Sequence, residues 1–158
     1  MSWSFTFEIE PIGKGRPRFS SKGGGRAYTP AKTREWTRAA SLLFSQAWGS
    51  RNPIERDTAV GVNITAIFPR LKKHKAKKYS TGRIPKTSKP DKDNIEKICL
   101  DSMGAILTDD CQVTEGRTAK YWGAVGEAPK IIVDVWVVQD NENLDNEALD
   151  EGFLSLFG

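Results

Sequence analysis

The sequence predicts an α+β fold: a single mixed β-sheet packed with two main helices. Three observations carry this. Three segments alternate apolar and polar residues with period two. Two others repeat apolar residues every three or four positions. The two kinds follow one another as β-α-β-loop-α-β-β, with no internal repeat. The 158 residues suit one domain, perhaps extended by a tail.

Trp3, Phe5, Phe7 and Ile9 alternate with Ser4, Thr6, Glu8 and Glu10, which predicts a half-buried first strand. Pro11-Ile12-Gly13-Lys14-Gly15-Arg16-Pro17-Arg18 breaks the pattern with Gly and Pro. Its cations Lys14, Arg16 and Arg18 could meet phosphates, yet it lacks the Gly-Lys-Ser/Thr ending of a P-loop. Ser20 to Tyr28, with Gly23-Gly24-Gly25, predicts a flexible loop.

Thr29-Pro30 reads as an N-cap followed by Pro at the first helical position. Trp36, Ala39, Ala40, Leu43, Phe44 and Ala47 then give an amphipathic helix to about Trp48, ended by Gly49. Trp36 is a core residue on this reading, and Arg34 and Arg38 face solvent or DNA. Val60, Val62, Ile64, Ala66 and Phe68 mark a second strand closed by Pro69.

A cationic stretch follows: Arg70, Lys72, Lys73, Lys75, Lys77, Lys78, Arg83, Lys86, Lys89 and Lys92, opposed only by Asp91. It reads either as a solvated, self-repelling mobile loop or as an arm that grips phosphates; the two are compatible if it orders on binding. Asp93 to Ser102 carries Ile95, Ile98, Cys99 and Met103 on one face, a second helix. Val113 to Tyr121 reads as one strand of mixed pattern. Ile131, Val133, Val135 and Val137 mark a final strand.

The formal charge of +4 conceals two opposed regions. Residues 139–158 hold six of the 20 acids and no Lys or Arg, which leaves 24 basic and 14 acidic residues in 1–138. A body this basic favours a polyanionic partner, because phosphate contacts release condensed counterions. No apolar run is long enough for a spanning helix, so no membrane is expected. The N-terminus shows no secretory pattern. Two cysteines, Cys99 and Cys111, cannot build a disulfide framework or a four-thiolate zinc site, and His74 is the single histidine. A reduced, cytoplasmic protein is expected.

The chemistry lies in two acidic clusters. Asp91 precedes a helix start in an extended D-x-D with Asp93, where the helix dipole favours anions. Lys97 is four residues after Asp93 and four before Asp101, so the three share a helix face. Asp109 and Asp110 come from the loop into the next strand. Carboxylate oxygens are hard ligands suited to Mg²⁺, and such ions can activate water against a phosphodiester. A neighbouring lysine offsets transition-state charge. The alternative reading is structural: Asp91 or Asp93 caps the helix, Lys97 merely pairs along it, and Asp109-Asp110 is a turn.

The combination K-P-D-x-D-N-I-x-K-x-x-L-D at Lys89–Asp101, D-D-x-Q-V at Asp109–Val113 and K-G-R-P-R-F at Lys14–Phe19 resembles the RusA family of Holliday junction resolvases. The resemblance runs over roughly Phe5 to Val138. It implies a homodimeric, Mg²⁺-dependent endonuclease (Mn²⁺ as a substitute) that cuts four-way DNA junctions symmetrically, of the type common on phages and prophages in bacterial hosts. By position, Asp91 and Asp93 match the paired metal-binding aspartates, Asp110 the third, and Lys97 the catalytic lysine. Asp101 and Asp109 match recurrent acids. Lys89, separated by Pro90, stands for the family's basic residue ahead of the first aspartate. DNA contacts are expected from Lys14, Arg16, Arg18, Lys72, Lys73, Lys75, Lys77, Lys78 and Lys89. The alternative is a non-catalytic DNA-binding phage protein whose aspartates are structural.

On this reading residues 1–138 form the endonuclease domain and 139–158 an acidic, poorly ordered tail. The tail's Phe153-Leu154-Ser155-Leu156-Phe157 resembles the peptide by which bacterial repair proteins dock on the sliding clamp, with Phe153 where Gln is usual. The alternative is packing of Leu154, Leu156 and Phe157 on the body or on a dimer partner.

Overall fold

The computed structural model describes residues 1–22 and 24–140. The tail beyond residue 140, with Phe153, Leu154, Leu156 and Phe157, lies outside the described residues.

One mixed six-stranded sheet forms the body, built around β4 (Val60–Phe68). On one side of β4 lies β8 (Lys130–Val137), antiparallel, and beyond it β1 (Ser2–Phe7), also antiparallel. On the other side β6 (Val113–Glu115) and β7 (Thr118–Trp122) run parallel to β4, one after the other. The short β5 (Ile84–Pro85) completes the edge beside β7. A proline is tolerated there because an edge strand leaves one row of backbone groups unpaired. A separate two-stranded ribbon joins β2 (Arg18–Phe19) to β3 (Ala27–Tyr28).

The alternating residues of β1, β4 and β8 turn one sheet face into the core, where Phe5, Val62, Ile64, Ala66, Val133 and Val135 are buried. α1 (Ala31–Trp48) presents Thr33, Trp36, Ala40, Phe44 and Trp48 to that face at helical spacing. Phe44 meets Phe7 edge-on at 4.9 Å and Phe5 at 5.8 Å, and Trp48 meets Trp3 at 5.1 Å. Such edge-to-face pairs add about 0.5–1.5 kcal/mol beyond area burial. Trp36 is core, as expected, and its indole N–H donates to the Glu10 carbonyl. α2 (Lys92–Asp101) buries Ile95, Ile98 and Cys99 beside α1 and against β4 and β7.

Four differences from the sequence reading have physical causes. Pro30, not Thr29, occupies the N-cap position of α1, with extended ψ of 143°, and no side chain caps the helix. The predicted strand Val113–Tyr121 is two, because the chain breaks at Gly116. There φ is 145° and the Val62 carbonyl oxygen stands 1.8 Å from the place a Cβ would occupy. The predicted flexible loop Ser20–Tyr28 ends in the paired β3, and the ribbon is carried by backbone bonds that no two-residue pattern reveals. Gly49 terminates α1 with φ of 70°, as the sequence indicated. The fourth difference concerns the cationic stretch, which the sequence presents as a mobile loop or an arm ordering on binding and which is folded in the free chain.

Its hub is Arg70. The guanidinium donates to four backbone carbonyls, those of Gly82, Gly123, His74 and Ser80. The chain from Leu71 to Arg83 is thereby wound round one side chain. His74 is buried, accepts the Leu71 N–H at Nδ1, and packs against Tyr79 and Trp122. Burial pushes its pKa below the ordinary histidine value, and Arg70 and Lys73 add to that. Arg83 grips Glu127 through Nε and Nη2.

Candidate active site

Asp91 stands at the N-cap position of α2 with extended backbone, yet its side chain accepts no capping hydrogen bond. The structural alternative of a helix cap is therefore not what this carboxylate does; its carbonyl starts the helix instead. Asp93 lies in the first turn, exposed, with Lys97 Nζ 3.5 Å from its Oδ2. Asp101 does not share that pair: Lys14 Nζ reaches it at 2.7 Å from the loop after β1. Both pairs are open to solvent, so each is worth only a few tenths of a kcal/mol, ~0.2–1.

The backbone before Asp91 is held from beneath. Lys120 on β7 donates through Nζ to the carbonyls of Ser88 and Pro90, each at 2.8 Å. Lys86 is 6% exposed, its Nζ 4.0 Å from the Trp122 ring and 5.0 Å from Phe68, and it donates to Ser88 Oγ. Burial, then the charge of Lys120, lowers its pKa from the usual lysine value. A cation so enclosed is kept by the aromatic faces on either side. Above the same segment Gly13 passes so close to Pro90 that a Cβ would stand 2.6 Å from the proline Cβ. The Lys14 N–H donates to the Asn94 carbonyl and locks that loop to α2.

These contacts form a cleft of about 650 Å³ lined by Gly13, Lys14, Arg16, Lys89, Pro90, Asp91 and Asn94. Arg16, Lys89 and the Asp91 carboxylate meet there, while the Lys14 ammonium is turned to Asp101. The cations can take phosphate oxygens and the carboxylate can take a hard divalent cation.

Asp109 and Asp110 sit elsewhere. Asp109 caps a short 3-10 turn, Asp110–Gln112, accepting the Cys111 N–H at 3.0 Å and pairing with Arg56 at 3.1 Å. The Cys111 hydrogen bonds hold its carboxyl below the usual range, and Arg56 adds a smaller push. Gln112 ties the turn to the carbonyls of Glu55 and Thr58 at the approach to β4. Asp110 is exposed. Of the two cysteines, Cys99 is buried, its thiol pushed up to about 12, and Cys111 is exposed beside Asp110.

The two clusters lie at opposite ends of α2. Pro90 is tied to Lys120, which pairs with Ala66 of β4, whereas Val113 pairs with Val60. Six strand residues span ~20 Å, and a ten-residue helix ~15 Å. Accordingly, among the described residues no three His, Cys, Asp or Glu side chains of one chain form a group that could hold a metal ion. The structure brings Asp91 together with Arg16 and Lys89, pairs Asp93 with Lys97 and Lys14 with Asp101, and sets Asp110 apart.

Of the expected DNA contacts, Lys72, Lys73, Lys75, Lys77, Lys78 and Lys89 are exposed, as are Arg16 and Arg18. Arg70 and Lys86, counted with them in the cationic stretch, are spent on contacts within the fold, and Arg83 is exposed but paired with Glu127. Lys120 and Lys86 were not legible as site residues. A lone lysine in a strand and one in a basic run carry no signal of what backbone they will support.

A family model described as Endodeoxyribonuclease RusA matches residues 8–135. A Bacillus subtilis (strain 168) protein, "Uncharacterized protein YqaN", is 30% identical over 134 residues, covering 82% of this chain and 92% of that one. No helix among the described residues is long and apolar enough to cross a membrane.

Proposed function

The chain belongs to the RusA endodeoxyribonuclease family, and from that premise we propose that it resolves four-way DNA junctions by cation-dependent phosphodiester hydrolysis, with paired cuts made by a two-fold dimer. The observation that carries the reading is the cleft in which Arg16 and Lys89 flank Asp91.

The donor set fits a hard divalent cation. Asp91 is not consumed as a helix cap, Asp93 is one turn away at most, and their oxygens suit Mg²⁺, with Mn²⁺ as a substitute. When bound, such an ion supplies a polarised water and positive charge beside the scissile phosphate. The protein's own side chains do the rest. Arg16 and Lys89 take the flanking phosphate oxygens. Lys97, beside Asp93, offsets charge that grows on the reacting phosphate. Lys72, Lys73, Lys75, Lys77 and Lys78 hold a neighbouring arm from a preformed loop.

A third donor is needed, and Asp110 of the same chain is a helix length away. We therefore assign it to the partner: Asp110 of one copy joins Asp91 and Asp93 of the other. Two such composite sites related by a two-fold would cut two opposed strands of a junction. Residues 1–138 carry this function. The peptide Phe153–Phe157 remains a candidate for the sliding clamp.

The test mixes inactive subunits. Asp91→Asn and Asp110→Asn should each abolish Mg²⁺-dependent cleavage of a synthetic four-way junction while junction binding persists. Mixed dimers of the two should regain nicking of one strand, since one site then keeps all three aspartates. Mixed dimers as silent as either parent would overturn the shared site. Equal cleavage of linear duplex by wild type would overturn resolvase activity itself.

A further inference from the structure

The β2–β3 ribbon stands apart from the main sheet and carries two aromatics that the proposed chemistry leaves unused. Phe19 is 78% exposed and Tyr28 is 46% exposed. An exposed phenylalanine forgoes most of what burial would contribute. The ribbon's register explains why both rings stand free. Phe19 pairs with Ala27, whose methyl leaves the ring uncovered, and Arg18 pairs with Tyr28. Directly paired residues share a face, so one face offers the phenyl ring and the other the Arg18–Tyr28 pair.

The surroundings indicate the partner's chemistry. Residues 11–34 contain Lys14, Arg16, Arg18, Lys22, Arg26, Lys32 and Arg34 and not one acid. An exposed ring on a segment whose charges are all positive is unsuited to a second copy of this basic domain and complementary to nucleic acid. The ribbon is also continuous with the Asp91 cleft, since Arg16, which lines that cleft, is two residues before Arg18.

Linear duplex DNA presents phosphates but keeps its base faces stacked. A branch point is where base faces become available. We propose that the ribbon is a branch-point reader: Phe19 stacks on a base exposed at the junction centre, with Arg18 and Arg26 on adjacent phosphates, so that branched DNA is favoured over linear. This deepens the proposed function and rests on it.

The experiment uses the full chain in EDTA, so that nothing is cut, with a four-way junction and a linear duplex that carry 2-aminopurine at the same branch-adjacent position. Wild type should bind the junction tighter than the duplex and change its fluorescence. Phe19→Ala should lose about ten- to a hundredfold in junction affinity, the scale of one base–aromatic stack, and lose the fluorescence change, with duplex affinity unaltered. Phe19→Trp should retain both. Junction affinity of Phe19→Ala equal to wild type overturns the inference. So does a shift of Phe19→Ala to a smaller species in sedimentation, which makes the ring a contact between copies. If wild type shows no junction preference, the resolvase reading fails with it; if wild type prefers the junction and Phe19→Ala does too, only the ribbon's role fails.

Discussion

The ammonium of Lys120 and the carbonyl of Pro90 lie 2.8 Å apart, which ties the strand β7 to the residue before Asp91. The same ammonium holds the Ser88 carbonyl at 2.8 Å. Hydrogen bonds from a charged donor contribute about 1.5–3 kcal/mol each where water is excluded, and less at this partly exposed position. Lys120 touches no expected substrate atom, so it acts through the backbone that carries Asp91.

Lys120→Met should therefore slow junction cleavage by about ten- to a hundredfold while raising the Mg²⁺ concentration needed for half-maximal rate. Thermal stability should change little. A cleavage rate that falls with no change in Mg²⁺ dependence would point to general loosening instead of misplacement of Asp91.

Arg70→Ala removes one donor group from four carbonyls at once. Those carbonyls are left unsatisfied, and His74 loses the turn that encloses it. The expected cost is about 2–4 kcal/mol. Limited proteolysis should cleave the variant between Leu71 and Arg83, where wild type resists. Arg70→Lys should not rescue it, because a single ammonium cannot reach four acceptors in fork geometry.

The carboxyl of Glu127 is held down at about 2, chiefly by its hydrogen bonds with Arg83. A carboxylate depressed from 4.5 in the folded state stabilises the fold above the unfolded value, and that share is lost as pH falls from about 4.5 towards 2. Wild type should lose stability through this window, and Glu127→Gln should show a flatter curve there. Denaturant unfolding at pH 5, 4 and 3 measures both. Parallel curves would mean that the Arg83 pair does not survive in solution.

Replacing Lys72, Lys73, Lys75, Lys77 and Lys78 by Gln should flatten the dependence of log affinity on log salt by up to ~0.9 for each phosphate contact removed. Because Arg70 and not these lysines holds the loop together, the variant should fold with normal stability. An unaltered salt slope would exclude the loop from the DNA contact.

Much of the fold can be read from side-chain rhythm. β1, β4, β8 and both helices announce themselves because each buries one face, and burial imposes period on the sequence. What escapes is structure made by backbone or by single side chains. The ribbon of Arg18–Phe19 and Ala27–Tyr28 is too short to have a rhythm. The break at Gly116 depends on how near Val62 approaches. The folded basic loop depends on which carbonyls Arg70 finds. The acids Asp91, Asp93 and Asp110 were legible as residue types, and their separation was not. The helix between them was legible too, but not whether the chain beyond it folds back towards Asp91.

The contrast between the two thiols has a practical corollary. Cys99 is sealed in the core with its thiol at about 12, and Cys111 faces solvent next to Asp110. A spin label offered to the native protein should thus settle at one location, beside the aspartate assigned to the partner's site. Dipolar distances between labels would then gauge how two copies meet, with no cysteine added or removed.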